Sequence, residues 1–159
     1  MKSINILPVI AKKPNAVARL NGNKAHPKLK ATVKFFQTKA GVLVSVEASG
    51  LPKNDDVCKE PIFAMHIHSG MSCTGNKTDN FADAMTHYNP DNCPHPYHAG
   101  DMPPIFGVNG TAFSVFLTDR FSVKEIIGKS VIIHANPDDF TTQPSGNSGE
   151  KIACGIIAG

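Results

Sequence analysis

The sequence predicts an all-β fold, a barrel or sandwich of short strands. Short runs of β-branched and apolar residues recur along the chain, separated by turn residues. Gly and Pro together number 25 of 159 residues, above average usage, which suits a fold with many tight turns. A single short segment, 122–127, reads as helix.

The elements follow in order. Residues 17–20 and 30–36 have strand composition. Residues 41–48 alternate after a tight Lys39-Ala40-Gly41 turn, which signals a hairpin. Residues 62–68 form another apolar strand. Residues 69–104 are rich in Gly, Pro, Asn, Asp and His, and so long an irregular stretch inside one domain is usually functional. Strand pattern returns at 111–117, 130–134 and 151–157, and Ser122 is placed to cap the short helix. There is no internal repeat and no linker, so 1–159 reads as one domain with 1–15 as an N-terminal extension.

Bulk properties exclude several classes. Net charge is +3 with scattered basic residues, so no polybasic arm for DNA or membrane is present. Aromatics are few and Trp is absent, which argues against a base-stacking surface. The apolar stretch near the N-terminus is short and broken by Asn5 and Pro8, unlike a secretory leader, and no segment reaches the length of a membrane span. A soluble, cytoplasmic protein is expected, or an extracytoplasmic one if a leader has been removed. Neither nucleic acid nor membrane is expected as a partner. The four cysteines, Cys58, Cys73, Cys93 and Cys154, are widely spaced with no C-x-x-C pair. That argues against a zinc ribbon or a thioredoxin-type site and leaves disulfides as the natural reading.

The histidines carry the chemistry. There are seven, and six lie between His66 and His134. In His66-Ile67-His68 the alternation of a strand turns both imidazoles to one face and sends Met65 and Ile67 to the core. Two converging ring nitrogens make a metal pair, although H-x-H alone also suits a polar strand face. Downstream, His87, His95, His98 and Asp101 sit in the Pro/Gly-rich loop, where prolines lower the entropy cost of ordering. His134 ends an apolar strand. Imidazoles suit copper and zinc, and an added carboxylate suits zinc. His26 is read as a surface residue outside the cluster.

These motifs together resemble the copper/zinc superoxide dismutases, over residues 16–159. The anchors are Met65-His66-Ile67-His68, His87-Tyr88-Asn89-Pro90, His98-Ala99-Gly100-Asp101, Ile133-His134 and Ala153-Cys154-Gly155-Ile156. Met102-Pro103 and the position of Cys73 resemble the bacterial branch. The resemblance implies an eight-stranded Greek-key β-barrel or sandwich with long metal-binding loops. It implies dismutation of superoxide to dioxygen and hydrogen peroxide, with copper as the redox metal and zinc as support. It places copper on His66, His68, His87 and His134, and zinc on His87, His95, His98 and Asp101, with His87 bridging both metals and acting in catalysis. It makes Asp138 the carboxylate that links a copper ligand to a zinc ligand, and it pairs Cys73 with Cys154. Lys151 stands where the family has an arginine, at the mouth of the copper channel, and is expected to attract and dock the anion; Ser145 is expected to narrow that channel. The loop between His95 and His98 is shorter than the family's. Cys58 and Cys93 have no family counterpart; a second disulfide between them is the first expectation, and a place for Cys93 near zinc the alternative. A homodimer is compatible with the resemblance. The competing function is a copper/zinc-binding protein of this fold with weak or no dismutase activity.

Overall fold

The computed structural model describes residues 5–56, 58 and 61–159. After a short helix α1 (Ile6–Ile10) come β1 (Ala16–Gly22), β2 (Lys30–Thr38) and β3 (Gly41–Ser49). Then follow β4 (Ile62–Phe63), β5 (Met65–His68), a 3-10 turn (Ala82–Ala84), β6 (Ile105–Phe106), β7 (Thr111–Thr118), α2 (Val123–Ile126), β8 (Ser130–His134) and β9 (Lys151–Ala158). No helix among the described residues is long and apolar enough to cross a membrane.

Seven strands form one curled antiparallel sheet in the order β5-β8-β9-β1-β2-β3-β7. The chain therefore crosses from β3, near one edge, to β5 at the other, and later crosses back from β7 to β8. These are Greek-key connections. β4 and β6 pair separately as a small ribbon, Ile62 opposite Phe106 and Phe63 opposite Ile105. β4 runs into β5 at one edge of the large sheet, and β6 leads to β7 at the other, so the ribbon laces the two edges together. The strand read over 62–68 is thus interrupted at Ala64, whose N–H donates to the Asn136 carbonyl (2.8 Å) and whose carbonyl accepts from His134 N–H (2.9 Å). Counted as one interrupted strand, β4 and β5 complete a set of eight among the described residues. β6 is not legible in the sequence because a two-residue strand leaves no periodicity.

The core follows the alternation of the strands. Leu20, Val33, Phe35, Val44, Val46, Met65, Ile67, Val131, Ile133 and Ile152 point inward and are fully buried. Each large side chain so buried contributes roughly 1.5–3 kcal/mol. α2 is headed by Ser122, whose N–H donates to the Glu125 carboxylate (2.6 Å), and it seals one end with Val123 and Ile126.

β5 would be an open edge, but the long loop covers it. Ile67 N–H donates to the Gly100 carbonyl (2.9 Å), Tyr88 N–H to the Ile67 carbonyl (2.8 Å), and Gly100 N–H to the Tyr88 carbonyl (2.8 Å). Ser69 and Gly70 extend the pairing to Thr86 and Ala84. A Cβ on Gly100 would fall 2.2 Å from the Ile67 carbonyl oxygen, so only glycine permits this approach. The Cys73–Cys154 disulfide ties the same loop to β9 and packs with Phe81, Ala84 and Ile132.

Gly100→Ala is expected to separate the loop from β5. Loss of these hydrogen bonds should destabilise the protein by about 1–3 kcal/mol, and hydrogen exchange should show faster exchange at the Ile67 and Tyr88 amides.

Candidate metal centre

Strand geometry and loop pairing bring the histidines together. His66 and His68 leave β5 on the same face, opposite Ile132 and Ser130 of β8. His134, at the end of β8, follows a register shift after Ile133 that turns its ring to the same side. Loop residues complete the set: Asp101 bridges to His66, and His87 to His68. His66, His68, His87 and His134 each offer a ligand atom, and these atoms lie within 4.8 Å of one another. His87, His95, His98 and Asp101 form a second group with the same closeness. All seven side chains are buried. His26 is half-buried in the β1–β2 connection and belongs to neither group.

The hydrogen bonds assign the lone pairs. His68 donates Nδ1–H to the Met85 carbonyl (2.9 Å), and His134 donates Nδ1–H to the Gly149 carbonyl (3.2 Å). Both therefore present bare Nε2 atoms, and these face each other at 3.3 Å. Two lone pairs at that distance repel unless a cation lies between them. His66 donates Nε2–H to Asp138 Oδ2 (2.8 Å), which leaves its Nδ1 buried without a partner, as is Nε2 of His87. In the second group one carboxylate is ringed by three imidazoles: Asp101 lies 2.7 Å from His87 Nδ1, 3.1 Å from His95 Nδ1 and 3.3 Å from His98 Nδ1. His95 Nδ1 is close to that carboxylate yet out of line for a hydrogen bond, another buried nitrogen aimed at the centre. His87 belongs to both groups. Four nitrogens on one side, three nitrogens and a carboxylate on the other, are donor sets that fit divalent metals.

A frame of polar contacts orients these ligands. Asp138 joins the groups, accepting from His66 through Oδ2 and from His95 Nε2–H through Oδ1 (2.9 Å). A Cβ on Gly146 would lie 2.0 Å from Asp138 Oδ1, and Gly146 has φ +66°, so glycine is required there on both counts. Gln143 grips His95 at both ends: His95 N–H donates to its Oε1 (2.9 Å), and its Nε2 donates to the His95 carbonyl (2.7 Å). Arg120 donates through one guanidinium nitrogen to the Pro96 carbonyl (2.8 Å), with the His98 and Asp101 carbonyls at 3.3 and 3.4 Å. These contacts hold the short 95–98 segment in place. Gln143, Arg120 and Gly146 are absent from the sequence reading because their partners lie far away along the chain and no local motif marks them.

Burial pushes the His66 and His68 imidazoles below the usual histidine range, and it lowers His134 to about 3. His98 is lowered by the same cause. Their lone pairs are therefore free near neutral pH. Burial opposes ionisation of Asp101, but the His87 hydrogen bond and the neighbouring imidazoles overcome it and hold the carboxyl below its usual range. For Asp138 burial again works the other way, and hydrogen bonds from His66, Phe140 N–H and His95 lower it to about 2.

The remaining cysteine expectation is corrected. Cys58 is an exposed free thiol and Cys93 a half-buried one, not a disulfide pair. Asn89 holds Cys93 within the ligand loop, accepting its N–H (2.9 Å) and donating to its carbonyl (2.8 Å), while Cys58 stands in the separate loop between β3 and β4. Nor does Cys93 join the second ligand group, which the three histidines and Asp101 complete.

A cavity of about 350 Å³ opens onto the first group, lined by His68, His87 and His134, and by Met85, Ser145 and Lys151. Lys151 is among these lining residues, and its Nζ is tied to Asp79 Oδ2 (2.7 Å) and the Phe81 carbonyl (3.2 Å).

Known proteins resemble this arrangement over most of the chain. The family model for copper/zinc superoxide dismutase (SODC) matches residues 29–157. "Superoxide dismutase [Cu-Zn] 2" of Aquifex aeolicus is 33% identical over 84% of this chain and 86% of its own length. "Superoxide dismutase [Cu-Zn]" of Deinococcus radiodurans is 32% identical over 82% and 78%. Among solved structures, a point mutant of a SOD-like protein from Bacillus subtilis superposes with a TM-score of 0.72 at 28% identity, covering 90% of this chain and 97% of that one. With its barrel, its two ligand groups and a family match across most of its length, the chain belongs to the copper/zinc superoxide dismutases.

Proposed function

We propose that this protein is a superoxide dismutase that holds copper on His66, His68, His87 and His134 and zinc on His87, His95, His98 and Asp101. The single observation that carries the reading is the sharing of His87 between two buried ligand groups. Copper held there would supply the one-electron redox chemistry that dismutation needs, and zinc would be redox-silent. The chain's own residues do the rest. The cavity admits a small anion beside His68, His87 and His134. Nε2 of His87, when not engaged by metal, can hold a proton there for the reduced product. Asp138 keeps His66 and His95 in the tautomers that leave the metal-facing nitrogens bare. The disulfide suits an oxidising compartment.

Lys151 is the cation at the cavity, and its side chain is only 15% exposed. Asp79 is presented to it by a turn that Asn76 Oδ1 organises by accepting the Thr78 and Asp79 N–H groups (2.9 and 3.0 Å). An incoming anion competes with that carboxylate for the ammonium. This favours, as the second reading, a copper/zinc-binding protein with weak dismutase activity.

Purified protein should contain one copper and one zinc per chain by mass spectrometry and should remove superoxide in stopped-flow measurements; full metal without activity would select the second reading. Lys151→Glu should lower catalytic efficiency sharply at low salt, with metal content checked. Asp79→Asn should raise efficiency and steepen its fall with ionic strength, since the freed charge is screened over about 8–10 Å near 0.1–0.15 M salt.

Protons compete with metal for the same nitrogens. The folded values of His66, His68 and His134 lie below the ordinary 6.5, so as pH falls through 6.5 the unfolded chain takes up protons that the folded one refuses. The metal-free protein is therefore expected to keep full stability above this pH. Below it, stability should decline by up to about 1.4 kcal/mol per pH unit for each imidazole held neutral. Urea midpoints of the metal-free protein against pH measure this, and bound metal should move the decline to lower pH.

A further inference from the structure

Met85 stands at the mouth of the cavity in a backbone conformation that suits glycine. It has φ 62° and ψ −144°. Most other described non-glycine residues at positive φ are asparagines, Asn92, Asn109 and Asn147, which tolerate the region; Phe140 is held there by its N–H bond to Asp138. A residue in such a sparsely populated region costs of order 1–3 kcal/mol and tends to mark a functional site. The backbone contacts of Met85 are an N–H bond to the Ala82 carbonyl (3.0 Å) and the carbonyl that accepts from His68. Glycine would make both without the strain. Packing does not account for the side chain either, since Met85 is 61% exposed. Met85 is one of the residues that line the cavity, together with His68, His87 and His134.

A thioether is a soft ligand that selects monovalent copper. The bare Nε2 atoms of His68 and His134 lie in the same cavity. We propose that Met85 is the entry ligand for monovalent copper, capturing the ion at the cavity mouth and passing it to Nε2 of His68 and His134. The transfer is a ligand exchange: the bond from copper to sulfur breaks as bonds to nitrogen form. No electron moves, and no proton is released because both nitrogens already carry lone pairs. The inference rests on the reading that the first ligand group holds copper.

The test uses the full chain loaded with zinc and free of copper. Monovalent copper is supplied anaerobically from its bicinchoninate complex, and uptake is followed by loss of that complex's colour. Met85→Leu keeps the apolar bulk and the backbone strain and removes only the sulfur. It should lose the faster loading of monovalent copper that the wild-type protein shows, with unchanged uptake of divalent copper and unchanged final occupancy. Met85→Gly should load as slowly as the leucine variant while being more stable in urea. Substoichiometric silver(I), a redox-inert stand-in, should shift the Met85 methyl resonance of methyl-labelled protein. Wild-type loading rates in Met85→Leu, or an unmoved methyl resonance, would overturn the inference while leaving the copper reading intact. A wild-type protein that takes up neither oxidation state of copper would overturn both.

Discussion

The hydrogen bonds joining Ile67, Tyr88 and Gly100 bind the ligand loop to the free edge of β5, and the rest of the centre depends on them. They set His87 beside His68 and Asp101 beside His66. Without them, the strand pair of histidines and the loop set would belong to different parts of the molecule. The bonds also solve a problem of the sheet: an open edge strand invites pairing with other chains. Covering the edge and assembling the site are thus one event, and Gly100 is the residue that allows the close approach.

The centre is rigid because its polar atoms are committed elsewhere. His66 is fixed by Asp138, His68 by the Met85 carbonyl, and His134 by the Gly149 carbonyl. Each of these bonds uses one ring nitrogen and leaves the other bare and buried. Burial then keeps the rings neutral, so the arrangement is costly when empty and relieved by a cation. Asp138 adds a mechanical link, since one carboxylate orients a ligand of each group. The loop that carries it is shaped in turn by Gly146 and by the Gln143 grip on His95.

Charge at the cavity is more restrained than the sequence suggests. A lysine at the channel mouth reads as a free attractor, yet here it is paired with Asp79 and bonded to the Phe81 carbonyl. The lysine side chain is only 15% exposed, so the two charges form a half-buried pair rather than a free surface one. The pair partly cancels the field that would steer an approaching anion.

Several features of the protein were legible in the chain alone. The strands at 17–20, 30–36, 41–48, 111–117, 130–134 and 151–157 show themselves because side-chain alternation and turn residues are local properties. The H-x-H pair is legible for the same reason: a period of two sends both rings to one face wherever the strand lies. The loop histidines and Asp101 stand out as a cluster in a Pro/Gly-rich stretch, whereas their division between two metals, the role of Asp138 and the Cys73–Cys154 pair rest on the match of whole motifs to a family. Tertiary structure decided the remainder. The pairing of Lys151 with Asp79, the Arg120 contact with the Pro96 carbonyl and the Gln143–His95 grip all join residues distant in sequence, which no periodicity records. Cys58 and Cys93 show the same limit, since two unassigned cysteines invite pairing on paper but form it only where the backbone brings them within reach.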